Sequence, residues 1–330
     1  MSRIEDLLES LKSSGVRLDK NIEYAFKSVN IEDFVDYSVE PFWQDKPVTF
    51  MTTMAGAEKN ISAPHMIATL LHHLEIRNGQ HFLLIGSKGG YLAAMLDQLL
   101  GVDGIVTIIE PHNEVLEHTV DTLEEYNSKG IIRVLSASSM DYFEDFEKPI
   151  DRVLITGAIR EIPEFLEVIL QDGTFMIGPF GGTIQQRLLK REKNANQWLD
   201  TDLGGVVFGP MDTFNAERNP LDPHVLAEHL EDSLTLISDI IEINETIYQS
   251  VEQLIITLRE LPKDIPPISE ETSEEEILEH PVVDLIMSEM EWLAPIWPIF
   301  SHLTPMDLMS FGNLDDESSS MAGGHRDLVP

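Results

Sequence analysis

Residues 83–91 of this chain read Leu83-Leu84-Ile85-Gly86-Ser87-Lys88-Gly89-Gly90-Tyr91. The apolar run that ends at Ile85 predicts a buried strand, and the glycines that follow predict a tight turn into a helix. Backbone N–H groups in such a turn approach a ligand closely, and the helix N-terminus favours negative charge there. The stretch therefore predicts a nucleotide-type cofactor site, although a purely structural turn would use the same residues. The candidate contacts are Gly86, Ser87, Gly89, Gly90, Tyr91 and Leu92.

On both sides of this stretch the chain alternates between short apolar strands and helices. Strands are predicted at 81–85, 105–110, 131–136, 152–156 and 174–177, and helices at 91–100, 113–127 and 164–170. Short, continuously apolar strands between helices indicate a mostly parallel sheet covered on both faces. We therefore predict an α/β fold with a doubly wound sheet. Residues 183–193 are predicted to be helical, and 206–208 to form a late strand.

Pattern and charge divide the chain into four expected segments. Residues 1–80 form an N-terminal helical segment packed on the core, and 81–211 form the core itself. Residues 212–313 form an acidic, mainly helical C-terminal region, and 314–330, rich in Ser, Gly and Asp, form a disordered tail. Tryptophan, phenylalanine and methionine side chains gather in the acidic region. They indicate either a helical layer packed on the core or a surface for a homodimer or partner protein.

The net charge of −36 disfavours nucleic acid as a partner. Residues 212–330 carry 26 acidic and 4 basic side chains, so this part alone contributes −22. A field this negative repels phosphate backbones, and we expect no nucleic-acid partner. No run of about 18 apolar residues suggests a membrane span. The chain has no cysteine, so disulfides and thiolate metal sites are excluded, and a cytoplasmic location with no metal site is expected.

Glu110 lies at a position from which a carboxylate can bind the ribose of a nucleotide-type cofactor. Glu110 ends the second predicted strand, 24 residues beyond Gly86, and Pro111 follows it. An acid at the tip of that strand, roughly 20 residues after the glycine turn, is placed to accept hydrogen bonds from ribose hydroxyls. The spacing adds Glu110 and Pro111 to the candidate contacts. It does not separate a dinucleotide from S-adenosylmethionine.

A rarer segment precedes the glycine turn and reads Asn60-Ile61-Ser62-Ala63-Pro64-His65-Met66. With the 83–91 stretch, Glu110-Pro111 and Phe208-Gly209-Pro210-Met211, it resembles the protein-L-isoaspartate O-methyltransferase family over roughly residues 1–211. The resemblance implies a Rossmann-like, S-adenosylmethionine-dependent methyltransferase fold. It also implies methyl transfer from S-adenosylmethionine to the side-chain carboxylate of isoaspartyl residues in damaged proteins, which serves protein repair.

The resemblance assigns roles to several residues. Ser62 matches the position that orients the reacting carboxylate, whereas its position alone fits equally well an N-cap for a helix beginning at Pro64. His65 is expected to be structural, because an ionised carboxylate has no proton to lose. The family's segment near the adenine aligns with Ala137-Ser138-Ser139, which adds Ser138 and Ser139 to the cofactor contacts.

Four positions depart from the family's pattern. Leu84 replaces an acid beside the methionine end of the cofactor, Lys88 replaces a loop glycine, and Ser138 replaces an acid near the adenine. Asp212 stands near a position that is often threonine in the family. If position 88 requires a positive φ, lysine is strained there by about 1 kcal/mol.

Three hypotheses remain open from the sequence. The first is an active repair methyltransferase, and the second is a catalytically weak or inactive relative that binds a peptide or partner protein. The third is a methyltransferase of another substrate. The intact segment from Ile61 to Met66 favours the first over the third, while Leu84, Lys88 and Ser138 favour the second.

Overall fold

The chain forms two compact units, Met1–Asn219 and Pro220–Pro330. The computed structural model describes residues 2–54, 57–136, 148–182, 185–195, 197–209, 211, 222–240, 243–262, 265, 276–277 and 279–297, with only the backbone for 239 and 240. The predicted contacts Ser138 and Ser139, the neighbouring Asp212 and the predicted tail 314–330 lie outside these residues.

Helices and one hairpin precede the central sheet. The helices are α1 (Arg3–Ser13), α2 (Lys20–Ser28), the short α3 (Glu40–Trp43) and α4 (Pro64–His73), and the hairpin pairs β1 (Val48–Thr52) with β2 (Glu58–Ile61). Local caps start the first two helices, because Ser2 and Glu5 form a capping box and Asp19 accepts from the backbone of Asn21 and Ile22. The buried faces of α1, α2 and α4 join the main apolar core.

Seven strands make the central sheet, in the spatial order β5-β4-β3-β6-β7-β8-β9. They are β3 (His81–Ile85), β4 (Ile105–Glu110), β5 (Ile131–Ser136), β6 (Arg152–Ile155), β7 (Phe175–Gly181), β8 (Gln186–Asn194) and β9 (Gln197–Val206). Neighbours from β5 to β7 are parallel, and β8 and β9 are antiparallel additions. The prediction of a mostly parallel sheet is therefore confirmed.

Helices α5 (Tyr91–Leu100), α6 (Asn113–Glu125) and α7 (Glu164–Ile169) connect the parallel strands. All residues of β3 and β4 are buried. Successive side chains of β3 enter different clusters: Phe82 and Leu84 pack with α4 and α5, whereas Leu83 and Ile85 pack with α7. Both faces of the sheet are thus covered, as the continuous apolar strands predict.

The helix predicted for residues 183–193 is wrong, because Gln186–Asn194 is strand β8. β8 lies between β7 and the edge strand β9 and is antiparallel to both. Two cross-strand ion pairs, Arg187–Asp202 and Arg191–Asp200, join β8 to β9. A run rich in Lys and Arg looks locally helical, and pairing with two neighbouring strands, together with burial of Leu188, makes the strand the better structure.

The second unit has its own apolar core. It contains α8 (Pro223–Ile240), α9 (Glu245–Glu260), α10 (Pro281–Ser288) and α11 (Met290–Leu293), so the prediction of an added helical region is confirmed. Trp297 is buried in this core and Trp292 packs against it, while Met287 is exposed. Within the described residues, no helix combines the length and apolar character needed to cross a membrane.

Asp97 on α5 fixes the loop between α6 and β5. Its buried carboxylate accepts from the backbone N–H groups of Lys129 and Gly130 at 2.8 Å and from the hydroxyl of Tyr126 at 3.0 Å. Removing the carboxylate leaves these donors without their acceptor. We expect Asp97→Ala to lower the free energy of unfolding by about 2–4 kcal/mol. Urea denaturation of the full chain measures the change.

The matched control is Asp121→Ala, which removes an exposed carboxylate from α6. We expect it to change the free energy of unfolding by less than about 0.5 kcal/mol. Similar losses in both variants would contradict the role given to Asp97.

Candidate active site

The glycine turn lies at the carboxyl-terminal edge of the parallel strands. It follows β3, and Glu110 at the end of β4, Ser136 at the end of β5 and Thr156 after β6 lie at the same edge. Ligands of open α/β sheets bind at this edge. The fold therefore brings the predicted residues of the turn together with Glu110.

Residues of the turn adopt left-handed backbone conformations. The φ angles are +84° at Gly86, +49° at Lys88, +68° at Gly89 and +90° at Gly90, which is the N-cap of α5. Glycine adopts this region freely, whereas a lysine is strained there by about 1 kcal/mol. Position 88 therefore requires a positive φ, and Lys88 is strained there.

Packing within the protein already excludes a side chain at Gly86 and at Gly89 of the turn. A Cβ on Gly86 would lie 2.3 Å from Oγ1 of Thr156, and one on Gly89 would lie 2.8 Å from Cδ2 of Phe50 in β1. The hydroxyl of Thr122 on α6 donates to the carbonyl of Gly89 at 3.1 Å. The glycines therefore set the shape of the turn for internal reasons, and they are not by themselves evidence of a ligand.

Glu110 is tied to the same turn. It is 5% exposed, and its Oε2 accepts from the backbone N–H of Ser87 at 2.7 Å and from the Ser87 hydroxyl at 2.8 Å. The hydroxyl of Thr119 lies 2.6 Å from that of Ser87. The spacing of the sequence identifies Glu110 but does not reveal this bond. The carboxylate has a structural role in addition to any role toward a ligand.

Glu110 nevertheless keeps capacity for a ribose. Its Oε1 accepts one described hydrogen bond, from the backbone N–H of His112 at 3.0 Å, and a carboxylate oxygen can accept a second. The ring Nδ1 of His112 is buried and has no hydrogen-bond partner among the described residues. Residues at this end of the site thus fit the nucleoside part of S-adenosylmethionine.

The other end of the turn is apolar. Leu84 is fully buried in the main core, so no carboxylate is present at that position. Met211 lies over the turn, because its N–H donates to the carbonyl of Ala158 and its thioether is 3.7 Å from the Cβ position of Gly86. The amino-acid part of a cofactor would meet backbone and thioether groups here rather than the family's acid.

Ser62 lies between the hairpin and α4, and the hairpin packs on the glycine turn. The N-cap of α4 is Ala63, which makes no side-chain cap bond, so the alternative role of Ser62 as N-cap is wrong. The half-buried hydroxyl of Ser62 has no partner among the described residues. It is available to a substrate.

The remaining predicted residues contribute mainly to structure. Asp45 accepts from the backbone N–H of His65 at 2.8 Å, and its carboxylate lies 3.0 Å from the ring Nδ1 of the same residue. This pair fixes the start of α4, as expected of a structural histidine. Tyr91 and Leu92 are buried with their side chains in the main core, so only their backbone faces the turn. Pro111 is also buried, directly after Glu110.

Comparisons with known proteins identify the family that this chain is similar to. The family model described as protein-L-isoaspartate(D-aspartate) O-methyltransferase matches residues 2–214. A protein-L-isoaspartate O-methyltransferase of Methanothrix thermoacetophila is 30% identical over 210 residues, which are 63% of this chain and 94% of the relative. One of Methanococcus maripaludis is 29% identical over 212 residues, which are 64% of this chain and 96% of the relative.

Solved structures show the same fold. One, from Plasmodium falciparum, is described as a β-aspartate methyltransferase of this kind in complex with S-adenosyl-L-homocysteine. It matches with a TM-score of 0.53 at 19% identity, over 64% of this chain and 99% of that chain. A second, a protein-L-isoaspartate O-methyltransferase, matches with a TM-score of 0.56 at 20% identity, over 68% and 70%.

The strain at position 88 gives a test of the turn. We expect Lys88→Gly to raise the free energy of unfolding by about 0.5–1 kcal/mol, because glycine adopts the φ of +49° without a Cβ penalty. Lys88→Ala is the matched control, since it removes the charge and the side-chain contacts but keeps a Cβ. Urea denaturation compares the two variants. Equal stabilisation by alanine would assign the effect to the charge and contradict backbone strain.

Proposed function

This chain belongs to the protein-L-isoaspartate O-methyltransferase family, and from that membership we propose that it methylates the side-chain carboxylate of L-isoaspartyl residues in damaged proteins. The methyl donor is S-adenosylmethionine. The observation that carries the proposal is the family match over residues 2–214, which includes both Ser62 and the glycine turn. The ester product can cyclise to a succinimide and reopen as aspartate, which is the chemical basis of repair.

The reaction asks the protein mainly for positioning. When bound, S-adenosylmethionine supplies an electrophilic methyl group on a sulfonium, which leaves as a neutral thioether once the carboxylate oxygen has taken the methyl. An ionised carboxylate is already a nucleophile, so no residue has to act as a base. Holding the reacting atoms in line accounts for most of the catalysis under these conditions.

Residues at the strand edge are proposed to hold the cofactor. Oε1 of Glu110 accepts from the ribose hydroxyls, and the backbone from Gly86 to Gly90 approaches the amino-acid part. His112 is a further candidate at the nucleoside end because its buried Nδ1 has no partner among the described residues. Ser138 and Ser139 are proposed to lie near the adenine.

Leu84 carries a cost for this binding. A charged partner for the cofactor's amino group contributes about 1.5–3 kcal/mol, so a chain with leucine at this position is expected to bind roughly ten- to a hundredfold more weakly than one with an acid. A weaker cofactor site is compatible with turnover. The family match and the similar relatives favour the active enzyme over an inactive binding protein.

Ser62 is proposed to orient the acceptor. Its hydroxyl is half-buried, lacks a partner among the described residues, and follows the hairpin that packs on the glycine turn. A donated hydrogen bond would hold one carboxylate oxygen and leave the other for the methyl group. Proteins and peptides that carry isoaspartate are the proposed partners, and the charge of −36 disfavours nucleic acid.

Two further parts of the proposal concern the setting of the enzyme. We propose a cytoplasmic location, which the absence of cysteine supports. The acidic second unit is proposed to contact a second copy or a partner protein, because Met287 leaves an apolar side chain exposed there.

Binding and turnover test the function in sequence. Calorimetry with S-adenosylmethionine and S-adenosylhomocysteine is expected to show binding in the micromolar to submillimolar range. Mass spectrometry is then expected to show methylation of an isoaspartyl peptide, with the aspartyl peptide of the same sequence as the control. If the folded protein binds neither compound, the proposal that the chain is a methyltransferase is contradicted. If both peptides are methylated equally, the proposal that isoaspartate is the substrate is contradicted.

Ser62→Ala separates positioning from cofactor binding. We expect turnover of the isoaspartyl peptide to fall about 10- to 100-fold, since a hydrogen bond to a charged oxygen is lost. Affinity for S-adenosylhomocysteine should stay within about twofold, because no cofactor contact changes. The control is Ser128→Ala at an exposed position after α6, which should leave both quantities unchanged. Equal losses of turnover and of cofactor affinity would contradict the role of Ser62.

A further inference from the structure

A cavity lies in the first unit, outside the site described above. Its volume is about 240 Å³, and it is lined by residues of α1, α2, α3 and the first residue of α5. A cavity of about 150 Å³ already holds a benzene molecule, whereas sites for drug-sized ligands span roughly 300–1,000 Å³. The size therefore suits one ring with a small substituent.

Aromatic side chains form the walls of this cavity. Phe26, Phe42, Trp43 and Tyr91 all line it. The ring of Phe42 meets the rings of Trp43 and Tyr91 edge-on, with centroids 5.5 and 5.7 Å away. Such walls favour an aromatic ring, which adds further edge-to-face contacts.

One hydroxyl at the cavity lacks a partner. The hydroxyl of Tyr91 has no hydrogen-bond partner among the described residues, whereas the indole Nε1 of Trp43, which also has none, is closed off from solvent. Tyr91 is only 1% exposed, and burial raises the pKa of its hydroxyl well above the usual value, so it stays protonated. Buried polar groups in proteins are nearly always satisfied, which indicates an acceptor from outside the chain.

The charge of the lining is unlike that of the rest of the protein. Among the residues that the structure describes, Arg3 and Lys27 line the cavity and no acidic residue does, in a chain with 58 acidic and 22 basic side chains. The guanidinium of Arg3 lies 5.1 Å from the centre of the Trp43 ring and forms an ion pair with Glu40. Lys27 has no ion-pair partner in the described part of the chain. The lining therefore favours an anion.

We infer that this cavity binds a small aromatic carboxylate. The ring packs among Phe26, Phe42 and Trp43, and the carboxylate accepts from the Tyr91 hydroxyl beside the cation of Arg3. Tyr91 directly follows Gly90, but neither the glycine turn nor Glu110 is part of the cavity lining, so the two sites are separate. This site is independent of the proposed methyl transfer.

Phenylacetate is the probe, and phenylacetamide is its neutral match in size. Nuclear magnetic resonance of the full chain follows the indole N–H of Trp43, assigned with Trp43→Phe. We expect a saturable shift with phenylacetate at a Kd of roughly 0.01–1 mM, in line with the efficiency of small ligands. Phenylacetamide should bind at least about tenfold more weakly, because it lacks the charge.

Three variants locate the site. Tyr91→Phe should weaken phenylacetate at least about tenfold, whereas Tyr24→Phe, at an exposed tyrosine of α2, should leave its affinity unchanged. Arg3→Gln is a surface change that spares the fold, and it should weaken phenylacetate several-fold while leaving phenylacetamide unaffected.

If the Trp43 indole resonance shows no saturable shift at millimolar phenylacetate, the inference is overturned and the cavity holds only water. Equal affinity for the two probes would overturn the role of charge. Should Tyr91→Phe not fold, the Arg3→Gln comparison decides, and an unchanged preference for phenylacetate would contradict the site.

Discussion

The turn between β3 and α5 is the constraint on which the rest of the first unit depends. Its backbone is left-handed at Gly86, Gly89 and Gly90, and other parts of the chain press into the space that side chains would need. Phe50 approaches from the hairpin, Thr156 from the end of β6, and Thr122 from α6. One turn therefore fixes the positions of three elements, and the carboxylate of Glu110 joins it to a fourth.

This dependence explains what the sequence predicts well. The strands His81–Ile85 and Ile105–Glu110 and the helix Tyr91–Leu100 begin and end where the apolar pattern places them, because all are buried and their periodicity is local. Motif and spacing single out Ser62 and Glu110 as candidate site residues. The Ser87–Glu110 bond and the contact of Phe50 with Gly89 are not, since each joins residues far apart in the chain.

The wrong prediction of a helix at residues 183–193 also reflects contacts between residues that are distant in the chain. Residues 186–194 carry Lys, Arg and Glu in a pattern compatible with a helix, and pairing with β7 on one side and with β9 on the other favours a strand. The departures from the family pattern differ in kind. Leu84 exchanges a charge for core packing, while Lys88 keeps the backbone path of the turn at the cost of strain. Both changes leave the frame of the site in place.

The edge strand β9 has a consequence for association between molecules. An open sheet edge offers unpaired backbone groups to any other strand, and natural proteins protect such edges with charges and irregularities. β9 places Asp200 and Asp202 on this edge, its register with β8 shifts between Arg187 and Leu189, and Gly204 bends it with a φ of +123°. A β9 strand of a second molecule, added at this edge, would bring its own acidic side chains close to Asp200 and Asp202. The irregularity of β9 would also interrupt the backbone hydrogen bonds between the two strands. The fold is thereby protected from edge-to-edge aggregation on the side where its parallel core is extended.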